Sequence, residues 1–162
     1  MASGINHIRG TVLLAVPAAL LAAGWGSEPG NAIACGVGCL AGVILSPDLD
    51  ISSRTRSEYL VYRYMGRFPG ALWFAFWWLY ARLIPHRSPL SHWPIIGTMG
   101  RFLYVYLFGG FLWYGAAWLI TGTGAWIPMF QWLQTPTFAW ALVGLSLADT
   151  LHFFMDFLPF WR

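Results

Sequence analysis

The chain has 162 residues, of which 58% are hydrophobic, 19% aromatic and only 9% charged. A soluble domain carries about 25% charged residues, so the composition points to an integral membrane protein, and the length fits a single domain over residues 1–162. The nine basic residues are all arginines, and the net charge of +3 is spread along the chain; with no basic face, direct nucleic-acid binding is not expected.

In chain order, the first apolar run covers residues 8–25. Arg9, the apolar stretch from Thr11 to Ala23 and the small residues after it resemble a signal peptide, but the segment is read as a first transmembrane helix. A turn at 27–31 leads to a second apolar run, 32–45, in which Gly38 and Gly42 form a small-xxx-small pattern that permits close helix contact. Both runs are short beside the roughly 20 residues a span needs, so they are expected to form a tight hairpin. Cys35 and Cys39, one helical turn apart, are read as small packing residues at a helix contact.

Residues 48–69 are polar, with Arg54, Arg56, Arg63 and Arg67 and the interfacial aromatics Tyr59, Tyr62 and Tyr64. The aromatic stretch 70–84 is short and flanked by arginines, which predicts an interfacial or re-entrant helix. A long apolar run follows over 93–120, where Arg101 is expected to snorkel to the headgroups. A loop at 121–136 precedes the last helix, 137–160, closed by Arg162. Arginine-rich flanks stay cytoplasmic. This places both termini and the 48–69 and 82–92 segments inside, and the 27–31 and 121–136 loops outside. The expected fold is all-α: a polytopic membrane bundle of about four transmembrane helices plus one interfacial or re-entrant helix.

Three of the four histidines and four of the six acidic residues fall in three short clusters, and His7 stands just before the first apolar run. An ionisable group at the centre of a membrane helix costs roughly 2.5–3.5 kcal/mol on insertion scales, so their grouping points to chemistry. Asp149, His152 and Asp156 share one face of the last helix, where His152 and Asp156 can hold a cation between them; a buried structural network is the other reading. Asp48 and Asp50, in an extended segment, can chelate a cation or simply belong to a solvated turn. His86 and His92 flank Pro89, which bends the chain so that both rings can reach one ion, or else both sit at the interface. Arg87 can pair with a carboxylate or a phosphate, and Ser88 and Ser91 can cap the next helix or meet substrate. His7 begins a helix on the same side and is read as a further ligand. A mixed nitrogen and oxygen set suits zinc first, or manganese or iron, better than magnesium or calcium.

His7, Pro-Asp-Leu-Asp at 47–50, His-Arg-Ser-x-x-Ser-His at 86–92 and Asp-x2-His-x3-Asp at 149–156 together resemble the uncharacterised membrane metal-binding proteins of bacteria. These are related to membrane-bound metal-dependent hydrolases, a group that includes LexA-binding inner-membrane proteins, and more distantly to the zinc-dependent phospholipase C superfamily. The resemblance spans nearly the whole chain. It implies metal ligation by His7, Asp48, Asp50, His86, His92, His152 and Asp156 in a bacterial inner membrane.

The expected function is hydrolysis of a phosphoester or lipid-like substrate on the cytoplasmic side, with membrane lipid as a partner. In this reading Asp149 is the general base or an orienting group and Arg87 the anion clamp. The rival is a non-catalytic accessory or assembly subunit of a larger photosynthetic or respiratory membrane complex. The aromatics Trp73, Phe74, Phe76, Trp77 and Trp78 are read as a partner or lipid contact.

Overall fold

The computed structural model describes residues 4–52, 55–123 and 133–157, and every regular element among them is helical. Arg54, most of the 121–136 loop, the last three residues of the expected 137–160 helix and Arg162 lie outside the described residues. The elements are α1 (Gly4–Gly24), α2 (Pro29–Ala41), a 3-10 turn (Pro47–Asp50), α3 (Arg56–Met65), α4 (Arg67–Leu83), the one-turn α5 (Pro89–His92), α6 (Ile96–Thr121) and α7 (Pro136–Phe157). A π-helical stretch over Val105–Gly109 lies within α6.

α1, α6 and α7, with 21, 26 and 22 residues, are long and apolar enough to cross a membrane. α2 is apolar but has only 13 residues, about 20 Å of helix against a hydrocarbon core of about 30 Å. Among the described residues, three helices therefore have the length for a span, and a fourth is not confirmed. The aromatic segment forms α4, a 17-residue helix that pairs with α3 as a helical hairpin.

The core is built from small side chains. α1 starts at Gly4, earlier than expected, so His7 lies in its first turn. Its buried positions His7, Thr11, Ala15, Ala18 and Ala22 recur every three or four residues and form one stripe. Ala15, Ala18 and Ala22 pack with Ala32, Cys35 and Cys39 of α2 and Ala148 of α7. Both cysteines are free and buried, as packing residues should be. The opposite face of α1 exposes Val12, Leu13, Val16 and Leu20.

α2 and α7 touch backbone to backbone. A Cβ at Gly38 would run into the Ala141 carbonyl, and one at Gly144 into the Cys35 carbonyl. Gly42 continues this contact, where a Cβ would lie 2.6 Å from the Ala148 methyl. Glycine is required here for approach distance, the use the small-xxx-small spacing predicts.

A second core lies under the 3-10 turn. Leu49, Trp77 and Tyr80 are each about 1% exposed and are flanked by Leu45, Trp73 and Phe76. Trp77 thus serves the protein's own core and not a partner, which corrects that part of the aromatic reading; Trp78 is exposed beneath the Arg82 guanidinium.

α6 is almost wholly exposed beyond its first turns, and a buried ion pair fixes its start. Arg101 and Asp149 are 2% and 1% exposed. Arg101 Nη2 donates to Asp149 Oδ2, which also accepts from Thr98 Oγ1. Arg101 Nη1 donates to the Ser91 carbonyl at 2.9 Å. Arg101 therefore does not snorkel: a carboxylate on α7 gives the guanidinium an internal partner, which is how ionisable groups are accommodated inside apolar bundles. Beside this pair, an apolar crevice of about 350 Å³ separates α6 from α2 and α7, walled by Val37, Leu45, Phe102 and Leu142.

Two outcomes follow for stability. Gly144→Val should lower the thermal midpoint in detergent by about 5 °C or more through the clash with Cys35, whereas Gly24→Ala, which meets nothing within 4 Å, should stay within about 2 °C. Arg101→Met strands the Asp149 carboxylate and should cost about 3–5 kcal/mol. The double variant Arg101→Met, Asp149→Asn should recover part of that loss in a denaturation-based mutant cycle, and strict additivity would refute the coupling.

Candidate metal centre

Four chain segments that are distant in sequence meet at one end of the bundle: the first turn of α1, the 3-10 turn after α2, the connection from α4 through α5, and the last turns of α7. Local chemistry orients each of them. Pro47 starts the 3-10 turn with its fixed φ, and the Ser46 hydroxyl accepts from the Asp48 N–H at 3.2 Å. The segment is therefore not extended, as the sequence had suggested. At three residues per turn, positions two apart point about 240° apart, so Asp48 and Asp50 diverge while Leu49 anchors between them. They serve different histidines instead of chelating together.

The result is a continuous line of imidazoles and carboxylates. His7 Nε2 lies 3.3 Å from Asp156 Oδ1, and His152 Nε2 lies 3.6 Å from Asp156 Oδ2. His152 Nε2 and His92 Nε2 approach Asp48 Oδ1 at 3.5 and 3.8 Å. His92 Nδ1 is 3.3 Å from Asp50 Oδ2, and His86 Nδ1 donates to Asp50 Oδ1 at 2.7 Å. The His7 and His152 rings stack with centroids 3.9 Å apart. Three overlapping groups bring ligand atoms within 4.8 Å of one another: His7, His152 and Asp156; Asp48, His92 and His152; and Asp50, His86 and His92.

The seven residues divide by the state of their polar atoms. His92 Nε2 and His152 Nε2 are buried without a hydrogen-bond partner. Ser91 Oγ donates to the Ser88 carbonyl at 3.1 Å and sits 3.0 Å from His92 Nδ1, which places the imidazole proton on Nδ1. Nε2 then faces the Asp48 carboxylate, an arrangement that a proton or a bound cation between them completes. With metal–ligand bonds of roughly 2.0–2.1 Å, tetrahedral ligand atoms stand about 3.4 Å apart, close to the 3.3–3.8 Å separations found here. A cavity of about 20 Å³ adjoins His7, Asp48 and His152, room for a group the size of one water. The donor set therefore fits a nitrogen- and oxygen-ligated divalent ion.

Asp50 is different. Its side chain is fully buried, and its oxygens are engaged by His86 Nδ1, His92 Nδ1 and the Arg87 N–H at 3.0 Å. This is the position of a carboxylate that orients a ligating histidine. Burial pushes the Asp48 and Asp50 carboxyls up, but the neighbouring imidazoles outweigh it and hold both below the ordinary carboxylate range. Burial pulls the His92 imidazole down, and the Asp48 and Asp50 carboxylates reverse this and hold it above its usual value. The site is built to hold positive charge.

Asp149 lies on the same helix as His152 and Asp156, yet it faces Arg101 and Thr98 and is not brought into the ligand groups. Arg87 is exposed, at a left-handed φ of 60°, with its backbone N–H on Asp50. Ser88 occupies the N-cap position of α5 without a side-chain cap bond, so Ser91, rather than Ser88, is the serine that supports His92. Sequence reasoning missed Thr98 and Arg101 as parts of this region. The signal was present: a charged residue inside an apolar run calls for an internal partner. It also missed Thr55, Arg56 and Ser57, which line the same cavity as His7 and His152.

No curated protein and no solved structure matches the chain. A family model described as "Uncharacterized metal-binding protein (DUF2227)" matches residues 2–161. With the match running through every segment that supplies an imidazole or carboxylate to the cluster, the protein belongs to this family of uncharacterized metal-binding proteins.

Proposed function

We propose that the protein is a membrane-embedded, metal-dependent hydrolase acting on a phosphoester or lipid-like substrate, with its site on the cytoplasmic side of a bacterial inner membrane. The observation that carries the metal centre is the pair of buried, unpartnered nitrogens, His92 Nε2 and His152 Nε2, aimed at one Asp48 oxygen. His7, Asp48, His92, His152 and Asp156 are the ligands, in two groups of three that share His152, and Asp50 with His86 orients His92. Zinc suits this mixture of imidazole and carboxylate best, with manganese or iron as alternatives. A bound divalent ion supplies Lewis acidity to a phosphoryl or acyl oxygen and lowers the pKa of a coordinated water.

The chain's own residues divide the remaining work. Asp48, whose side chain is 36% exposed, is the ligand open to an incoming substrate. Arg87, held beside the site through its backbone, contacts an anionic group at the rim. Asp149 acts as an orienting group: through Arg101 it holds the Ser91 carbonyl, one residue from His92. Exposed apolar faces on three membrane-length helices support embedding, and the arginine-rich α3–α4 hairpin supports a cytoplasmic site by the positive-inside rule.

The exposed apolar surface of α6, with Phe111, Trp113 and Trp118, supports a second reading: a non-catalytic accessory or assembly subunit whose α6 packs on a larger membrane complex. Co-purification at fixed stoichiometry with such a complex would favour it. A metal-loaded monomer or dimer that hydrolyses phosphoesters favours the enzyme.

Mass spectrometry of detergent-purified protein should find about one or two equivalents of a transition metal. His152→Ala and the milder Asp48→Asn should each lower metal affinity at least about tenfold. Less than roughly a tenth of an equivalent after zinc and manganese are supplied, in protein that is still folded, would reduce the cluster to a buried polar network.

A further inference from the structure

The cavity beside the proposed metal centre is lined by His7, Asp48 and His152 and also, where α3 begins, by Thr55, Arg56 and Ser57. α3 is a ten-residue helix with a reciprocal capping box. Thr55 Oγ1 accepts from the Glu58 N–H at 3.4 Å, and Glu58 Oε2 accepts from the Thr55 N–H at 3.0 Å. The Tyr59 N–H goes to the Thr55 carbonyl. These bonds leave the first-turn amides of Arg56 and Ser57 at the positive end of the helix, the ordinary setting for an oxyanion. His152, whose Nε2 is a proposed metal ligand, lines the same cavity in a residue only 5% exposed, with that nitrogen lacking a hydrogen-bond partner.

Arg56 lines both this small cavity and a wider one. A second space of about 430 Å³ is lined by Thr55, Arg56, Tyr59 and Tyr62, and the two share Thr55 and Arg56. The Arg56 guanidinium lies 5.2 Å from the Tyr59 ring centroid, a cation–π contact that keeps it on this rim. Among the described residues, no carboxylate forms an ion pair with it.

We propose that Arg56, with the start of α3, forms an anion site for a phosphate group: one phosphoryl oxygen enters the small cavity toward the metal centre, and the rest of the molecule occupies the space beside Tyr59 and Tyr62. This rests on the metal reading above and sharpens it, making the substrate a phosphate ester. The small cavity, at about 20 Å³, admits one oxygen-sized group. The planar guanidinium supplies the paired donors that phosphate accepts. Charge sets a further condition. Asp48, Asp156 and Glu58 all lie near this cavity, so without a cation they repel an anion; phosphate binding at this site is metal-dependent. The phosphate can come from a soluble ester or from a lipid headgroup, and the two sources share this chemistry.

The test uses the full-length protein in detergent, measures metal content first, then titrates inorganic phosphate. The zinc- or manganese-loaded protein should bind phosphate, and chelation should abolish binding. Arg56→Gln should keep full metal content and bind phosphate at least about tenfold more weakly; Arg56→Lys should recover part of the affinity, and Arg82→Gln, on neither cavity, should leave it unchanged. Competition by glycerol 3-phosphate and by lysophosphatidic acid distinguishes the sources: equal competition indicates a soluble ester, stronger competition by the acylated compound a lipid headgroup, and either supports the site. Unchanged phosphate affinity in a metal-replete Arg56→Gln protein, or no phosphate binding by the metal-loaded wild type, overturns the anion site and leaves the metal centre standing. A wild type that takes up no metal overturns both.

Discussion

The backbone contact between α2 and α7 sets the register on which the rest of the molecule depends. Gly38 meets Ala141, Gly144 meets Cys35, and Gly42 meets Ala148. That ladder leaves no room for sliding, because each step is limited by a carbonyl or a methyl group and not by a flexible side chain. One turn beyond Ala148 stands His152, and just beyond Gly42 comes the turn carrying Asp48. The level at which an imidazole from the end of the chain meets a carboxylate from its first third is therefore fixed by the absence of three side chains. A slip of one helical turn, about 5.4 Å, would move His152 well out of reach of the Asp48 oxygen that lies 3.5 Å away.

Ionisable groups in an apolar bundle are tolerated only when they satisfy one another, and this protein separates that task into two parts. Arg101 and Asp149 neutralise each other, and through the Ser91 carbonyl they brace the turn that carries His92. Each still leaves one buried atom unpartnered, Arg101 Nε and Asp149 Oδ1. The His–Asp line differs in bringing ligand atoms of three residues at a time within 4.8 Å of one another, with carboxylates gathered round imidazole nitrogens that lack partners. That convergence of donors, and not the unpartnered atoms alone, is the strongest physical argument that the line is meant for a ligand.

Much of this was legible in the sequence. The spacing of Asp149, His152 and Asp156 puts them on one side of a helix, Gly38 and Gly42 announce a close contact, and charge placement brings the clusters to one end. What could not be read was direction within a face. Asp149 and His152 are three residues apart, yet one turns to α6 and the other to α1 and the 3-10 turn, and only the positions of those elements decide between them. Asp48 and Asp50 looked like a chelating pair because an extended chain was assumed; the Pro47 start and the burial of Leu49 wind the segment instead. The partner of Arg101 lies 48 residues away, beyond any local pattern. Trp77 reads in the sequence like the other aromatics of its segment, as a partner or lipid contact, and its place under Leu49 is a property of tertiary packing alone.

The two nitrogens of His92 bear on how many ions the line can hold. Nδ1 is committed to Ser91 and Asp50, and Nε2 faces Asp48. A second ion between His86, His92 and Asp50 would have to take Nδ1 away from these partners, break the 2.7 Å bond from His86 to Asp50, and lose the Arg87 amide from the same carboxylate. An ion among Asp48, His92 Nε2 and His152 Nε2 displaces no hydrogen bond of this kind and meets nitrogens that have no other partner. Filling the second position dismantles the arrangement that orients His92 for the first. The geometry therefore favours ion binding at the junction of α1, α7 and the 3-10 turn over the Asp50–His86 end of the line, which serves as its support.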